Sequence, residues 1–219
     1  HIPDKYRYIN ISLNEKNPIR PFDQFSTYRR GNLITCLNKD YHTLYDQYSD
    51  NHQRNIKKSK NKDLRIEASK DIETLVSTYR MHQGLKAGLK NKEYTTITHL
   101  IDVLLEKKKG FIKNVYDSHN NLNLSMFFIQ EKNRIINIFG SSNEIGRKNK
   151  AMYFAIDQVF AEFANRNFIF DFEGSSIPGV AYFFKGFGTE KRYFPQLVYN
   201  ALPNWINMAV STKNWIQKK

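Results

Sequence analysis

Aromatic residues run straight into two carboxylates at Phe168-Ile169-Phe170-Asp171-Phe172-Glu173, and Lys185 follows beyond a turn of glycine, serine and proline. Apolar strands seldom end in acidic residues for packing reasons, because a buried carboxylate is costly unless paired. A carboxylate at the carboxyl end of a strand, beside a tight turn, is where open sheets tend to place their chemistry. With its pKa raised by burial it can take a proton from an ammonium, and a nearby lysine can stabilise an oxyanion. These are the requirements of acyl transfer to an amine: a neutral nucleophile, a stabilised tetrahedral oxyanion and a proton for the leaving group. Asp171 and Glu173 are therefore the candidate bases, with only one of them expected to face a given cleft. Lys185 is the candidate oxyanion or donor-binding group. The plain alternative is a strand end whose carboxylates cap the turn.

Two further groups carry positive charge. The stretch Gly140-Ser141-Ser142-Asn143-Glu144-Ile145-Gly146-Arg147-Lys148-Asn149-Lys150 reads as a loop entering a strong helix. Free backbone N–H groups and a positive dipole end there suit an anion, so Ser141, Ser142, Asn143, Gly146, Arg147 and Lys148 are the candidate cofactor-binding residues. Cations at a helix start oppose its dipole, which an anion would explain. Ser141 with Glu144 is one reading of the cap and Asn143 the other. The second group, Arg54, Lys57 and Lys58, lies one turn apart near a helix end and reads either as a solvated face or as a phosphate clamp for substrate.

The elements that must position these residues follow from periodicity. Residues 6–12 alternate like a strand, 14–30 read as irregular, and 32–37 are a second strand, neither with an obvious partner. One helix runs from Tyr41 to about Ile56 with Asp40 as its cap, then a short strand over 64–67. Two amphipathic helices start near Ser69 and Asn91, separated by Gly84 and Gly88; Arg80, His82 and Gln83 project from the end of the first, and the lone histidine reads as structural or exposed. A three-strand meander covers 111–116, 122–130 and 134–139. The helix after it buries Met152, Ala155, Ile156, Val159, Phe160 and Phe163 and leaves Lys150, Asp157, Gln158, Glu162 and Asn165 outside. The strand 168–172, a helix over 180–185, a strand over 192–199 and a helix over 204–219 complete the chain.

Composition bounds the answer. The 219 residues carry 34 Lys and Arg against 21 Asp and Glu, a net charge of +13. That surplus points to a polyanionic partner or to a solubilising lysine-rich surface. The lone Cys36 excludes an internal disulfide and a multi-cysteine zinc site, and no metal is expected. It fits a reducing compartment, so a cytoplasmic location is expected. No apolar run approaches the ~20 residues of a membrane span. The chain opens at His1 without an initiator methionine, which reads as a fragment lacking its front.

From Phe111 the order strand, strand, strand, helix, strand, helix, strand resembles the core of the GNAT N-acyltransferase fold. The stretches Asp171-Phe172-Glu173-Gly174, Pro178-Gly179 and Phe184-Lys185-Gly186-Phe187-Gly188 resemble the signature of FemAB-like and BioF2-like acyltransferases, the peptidoglycan bridge formation-type group. Those proteins pair a strand-end Asp-Phe-x-Gly with a helix bearing Phe-Lys-x-x-Phe-Gly. Tyr48-Ser49-Asp50-Asn51-His52-Gln53-Arg54-Asn55-Ile56-Lys57-Lys58 is similar to their Ser-x-Asn-x-Arg-Arg-Asn-Ile-Lys-Lys-Ala helix, with Gln53 where a second arginine often stands. The resemblance spans roughly residues 30 to 203. It implies an α+β fold, a mixed and mostly antiparallel sheet flanked by helices, with two GNAT-like subdomains in tandem. Residues 1–40 would be the tail of the first, 41–110 a helical link and 111–219 the second. It also implies transfer of an acyl group from acyl-CoA, the donor expected here, to an amine on a small molecule or cell-wall precursor. Aminoacyl-tRNA is the alternative donor of the Fem branch, and a basic polyanion-binding module without catalysis is the third reading. The usual pyrophosphate motif of acyl-CoA enzymes is absent, since Glu144-Ile145-Gly146-Arg147 supplies one glycine. The long coiled-coil arm of some Fem enzymes is absent too, because the helices over 69–107 are short and lack heptads.

Overall fold

A computed structural model of the chain describes residues 5–22, 24–173, 178–203 and 206. In chain order its elements are β1 (Tyr8–Ser12), β2 (Ser26–Cys36), α1 (Tyr41–Asp46), α2 (Asp50–Lys60), β3 (Arg65–Ser69), α3 (Ile72–Ala87), α4 (Asn91–Glu106), β4 (Gly110–Tyr116), β5 (Leu122–Glu131), β6 (Arg134–Ser142), α5 (Glu144–Lys148), α6 (Ala151–Phe163), β7 (Ile169–Asp171), α7 (Pro178–Lys185) and β8 (Glu190–Asn200). They fall into two compact units, one from the described residues within His1–Asn32 and Arg192–Lys219, the other Leu33–Lys191.

In the smaller unit β1 runs antiparallel to β8, with Tyr8 opposite Asn200 and Ser12 opposite Gln196. The first strand thus has a partner from the far end of the chain, which its own sequence does not reveal. The Arg29 guanidinium lies 3.6 Å from the Tyr193 ring centroid, a cation–π contact that ties β2 to β8 within this unit.

In the larger unit the strands lie in the order β2-β7-β6-β5-β4-β3, antiparallel throughout except that β6 and β7 are parallel. Helices cover both faces, and the alternation of β5 feeds both cores. Leu124, Met126 and Phe128 join Leu44, Ile56, Ile156 and Phe160 of α1, α2 and α6. Phe127 and Ile129 join Leu75 and Ile101 of α3 and α4. The fold class is the expected one: α+β, a mixed and mostly antiparallel sheet flanked by helices.

Several local readings change. The stretch read as irregular up to Arg30 contains the first half of β2, which starts at Ser26 and pairs through Ile34 with Asp171 of β7. The helix read as continuous from Tyr41 is broken into α1 and α2, because Ser49 accepts the His52 N–H and starts a new N-cap, while Asp40 caps α1 as expected. Gly84 lies inside α3, and Gly88 alone ends it. The loop read from Gly140 is shorter, since β6 continues to Ser142 and Asn143 caps the five-residue α5. Asp157, placed outside by periodicity, is fully buried. The turn over 174–177 and, apart from Ile206, the helix read over 204–219 lie outside the described residues.

Candidate active site

The cleft of the larger unit is set by how β6 leaves β7. The two strands pair in parallel only from Arg134 opposite Ile169 to Ile136 opposite Asp171. One residue further on, β6 bulges: Phe128 lies opposite Asn137 and Phe127 opposite Phe139, so Ile138 is the extra residue against β5. A bulge bends its strand and sharpens its twist. Beyond it β6 stays with β5, while β7 stops at Asp171, and among the described residues no strand covers β6 on that side. The gap is a cleft of about 460 Å³. One wall is β6 from Asn137 to Ser142, the other is Phe172, Glu173 and α7 through Gly179, Val180, Phe183 and Phe184. Tyr79 and Gln83 of α3, Met126, Arg147 and Met152 close it.

The cleft gathers part of the predicted cofactor-binding group and one of the predicted carboxylates, and none of the α2 cations. Ser141, Ser142 and Arg147 line it, and Arg147 folds back so that its Nη1 donates to the Ser142 carbonyl at 3.0 Å. Asn143, Gly146 and Lys148 do not line it. The Gly146 N–H is already donated to Asn143 Oδ1 at 2.7 Å, and the Asn143 N–H to the Asn123 carbonyl at 3.2 Å. The first bond caps α5 on its own start, and the second closes that start onto β5. Lys148 is exposed.

Of the two carboxylates only Glu173 lines the cleft. Residues two apart on one strand share a face, so alternation does not separate Glu173 from Asp171. The strand end does: β7 stops at Asp171, and Glu173 has a φ of +31° that turns it out of the strand. Asp171 is buried, receives the Arg134 guanidinium at 2.5 Å and accepts the Glu173 N–H at 3.1 Å. It holds the strand end and the residue that reaches the cleft. Lys185 is exposed at the C-terminal end of α7 and is not part of the lining; a cation there complements the helix dipole. Arg54, Lys57 and Lys58 are exposed on α2 and also off the lining, with Arg54 donating to Asn51 Oδ1 at 3.1 Å.

The two motif segments that looked separate in sequence are packed on each other. His52 of α2 is buried and bonds the Phe183 carbonyl of α7 through Nε2 at 2.8 Å. A carbonyl only accepts, so Nε2 carries the proton and Nδ1 accepts from the Ser49 hydroxyl at 3.0 Å. Burial pulls the His52 pKa down, partly offset by the bond to Phe183, and the ring is held neutral. Gly186 sits directly against that ring, and the Ser49 N–H donates to its carbonyl at 2.9 Å. The α2 segment is thus the platform on which the cleft wall α7 rests. Beneath it, Tyr41 donates to the buried Asp157 at 2.8 Å, and burial raises both groups' pKa values.

Sequence reasoning missed Tyr79, Asn137, Met152 and Val180. Gln83 was singled out, but as an exposed helix end. Tyr79 stacks on Phe139 at 4.0 Å, a contact between α3 and the bulged strand that only the fold creates.

No protein-family model matches the chain, and no curated protein does. Solved structures do. FemX aligns over 93% of this chain and 68% of its own at 10% identity, with a TM-score of 0.65. The C-terminal DUF2156 domain assigned to a lysylphosphatidylglycerol synthetase of Agrobacterium fabrum aligns over 81% of this chain and 62% of its own, at 10% identity and TM-score 0.54. L-PGS from Bacillus licheniformis aligns over 90% and 68%, at 9% identity and TM-score 0.52. The chain therefore spans only about two thirds of the proteins it resembles. These likenesses show the fold, which is GNAT-like.

Proposed function

We propose that this chain transfers an acyl or aminoacyl group to an amine held in the cleft between β6 and α7. The observation that carries the reading is the parting of β6 from β7 at the Ile138 bulge, which sets an uncovered strand edge opposite Glu173. An extended, amide-bearing acceptor can add to such an edge as a strand does. The donor's carbonyl then lies beside backbone N–H groups suited to the tetrahedral oxyanion. Glu173 takes the proton from the attacking ammonium, the new C–N bond forms, and the donor's C–O or C–S bond breaks as the leaving group is protonated. Ser141, Ser142 and Arg147 hold the donor at the far end of the β6 wall.

Between donors, one observation favours an aminoacyl ester of tRNA over acyl-CoA. The Gly146 N–H that a pyrophosphate would use is taken by Asn143, and the likeness to FemX supports the same choice. Arg54, Lys57 and Lys58 then track the donor's phosphodiester backbone, and Lys185 meets its phosphates beside the cleft. The acceptor is an amine on a cell-wall precursor. The protein is incubated with tRNA carrying labelled amino acids, or with labelled acetyl-CoA, together with an amine-bearing precursor. Label leaving the tRNA supports the reading. Label leaving acetyl-CoA alone, with CoA raising the melting temperature by linkage, moves the donor to acyl-CoA. Transfer from neither, with salt-dependent polyanion binding lost on charge reversal at Arg54, Lys57 and Lys58, sinks the enzyme reading in favour of a binding module.

A further inference from the structure

The helices that wall the cleft also carry the most exposed large apolar side chains among the described residues. Tyr79 and Gln83 of α3 face the cleft, while Met81 and Leu85 of the same helix are 75% and 99% exposed. Val180 and Phe183 of α7 face it, while Tyr182 is 80% exposed; the next residue in that order, Tyr28, is at 53%. Met81 and Leu85 are four apart on a helix and so lie on one side of it. The helix ends at Gly88, whose φ of +64° makes the left-handed C-cap that turns the chain into α4 at Asn91. From Met81 to Lys92 the sequence has Lys86, Lys90 and Lys92, all exposed, and no carboxylate. The nearest acid, Glu93, accepts the Lys90 N–H at 2.7 Å in the capping box of α4.

Among the described residues this apolar pair, largely in water near the end of a helix, has no packing role. The exposed lysines that follow it in sequence disfavour a protein partner, because lysine is depleted from protein–protein interface cores. A hydrophobic wedge accompanied by lysines is the composition that seats between anionic headgroups and acyl chains. We infer that the α3–α4 hairpin docks the protein on an anionic lipid surface. Met81 and Leu85 enter the interface, and Lys86, Lys90 and Lys92 meet headgroup phosphates. Docking does not depend on the transfer reading. Its consequence does: the helix that enters the lipid surface is the one that walls the cleft, so the amine acceptor is met at the membrane surface.

The test is flotation of the full chain with vesicles of phosphatidylcholine alone, or of phosphatidylcholine with phosphatidylglycerol, at physiological salt. The expected result is binding to the phosphatidylglycerol vesicles and little to the neutral ones. The double variant Met81→Ser/Leu85→Ser, at exposed positions that do not enter the core, weakens binding at least tenfold. Lys86→Glu/Lys90→Glu/Lys92→Glu weakens it about a hundredfold, from roughly fivefold per lysine. Lys57→Glu/Lys58→Glu, away from the hairpin, changes it less than threefold. No flotation, or equal losses for the hairpin and α2 charge variants with none for the serine variant, overturns the inference. A serine variant that turns a dimer into monomers while vesicle binding stays unchanged overturns it too, and assigns the patch to a second copy. Flotation needs no turnover, so its failure leaves the transfer reading standing, and absence of transfer leaves docking standing.

Discussion

Gly186→Ala places a methyl carbon inside the van der Waals envelope of Cε1, Nδ1 and Nε2 of His52, so the imidazole must leave its seat. That ring is 4% exposed, bonds the Phe183 carbonyl at 2.8 Å and Ser49 at 3.0 Å, and meets Phe187 and Tyr153 edge-on. Overpacking a filled site costs about 1–3 kcal/mol. Leaving the Phe183 carbonyl without its donor adds about 1–3 kcal/mol. Alanine returns about 0.4–1 kcal/mol by restricting the unfolded chain. The net loss is roughly 1–6 kcal/mol, and its central value of about 3 kcal/mol lowers the melting temperature by roughly 6–12 °C for a unit of this size. Scanning calorimetry reads the single variant, and a double-mutant cycle with His52→Ala isolates the contact. With the ring gone the methyl group has room, so the double variant should recover at least ~1 kcal/mol relative to the sum of the singles. A Gly186→Ala protein as stable as the parent, or a cycle with no coupling, would refute the claim that this glycine exists to seat α7 on His52.

Other outcomes follow from the same geometry. Burial raises the Asp157 pKa, so the stability it contributes is present below its ordinary range near 4 and is lost as pH rises through the folded value. Asp157→Asn, which keeps an acceptor for Tyr41, should therefore raise the melting temperature at pH 7 and have little effect near pH 3 in calorimetry at both. Arg134→Ala leaves Asp171 buried without its partner guanidinium and should cost about 3–5 kcal/mol in urea unfolding. Lys185→Ala, off the cleft lining, should raise KM for a phosphate-bearing donor severalfold and leave kcat within about twofold, since it removes binding common to ground and transition states.

The order of elements and both cores were legible because their signals are local. Alternation in 122–130 and the 3.6 period of 152–163 each dictate an element and its buried face. Asp157 shows where that logic stops: its place on the helix reads as exposed until the Tyr41 hydroxyl of another element covers it. The aromatic wall of the cleft was visible as a motif, yet the motif's reason was not. Gly186 stood in the sequence only as part of that motif, and only the docking of α2 on α7 shows that it makes room for His52. The parting of β6 from β7 that opens the cleft left no mark in the sequence. It arises from one extra residue, Ile138, in the register between β5 and β6, and register is a property of two strands rather than one. Tyr79 was passed over, and Gln83 read only as part of a helix end, for the same reason, since nothing local to α3 says which strand it lies against.

Single-turnover transfer by Glu173→Gln, with donor affinity measured in parallel, tests the central claim most directly. A cleft base predicts donor affinity within about threefold of the parent and a rate lower by roughly 10²–10⁴. Asp171→Asn, at a residue held by Arg134 and off the lining, should keep its rate within about tenfold once shown to be folded. Transfer by Glu173→Gln at the parent rate would contradict the account, and all the more if Asp171→Asn alone abolished it.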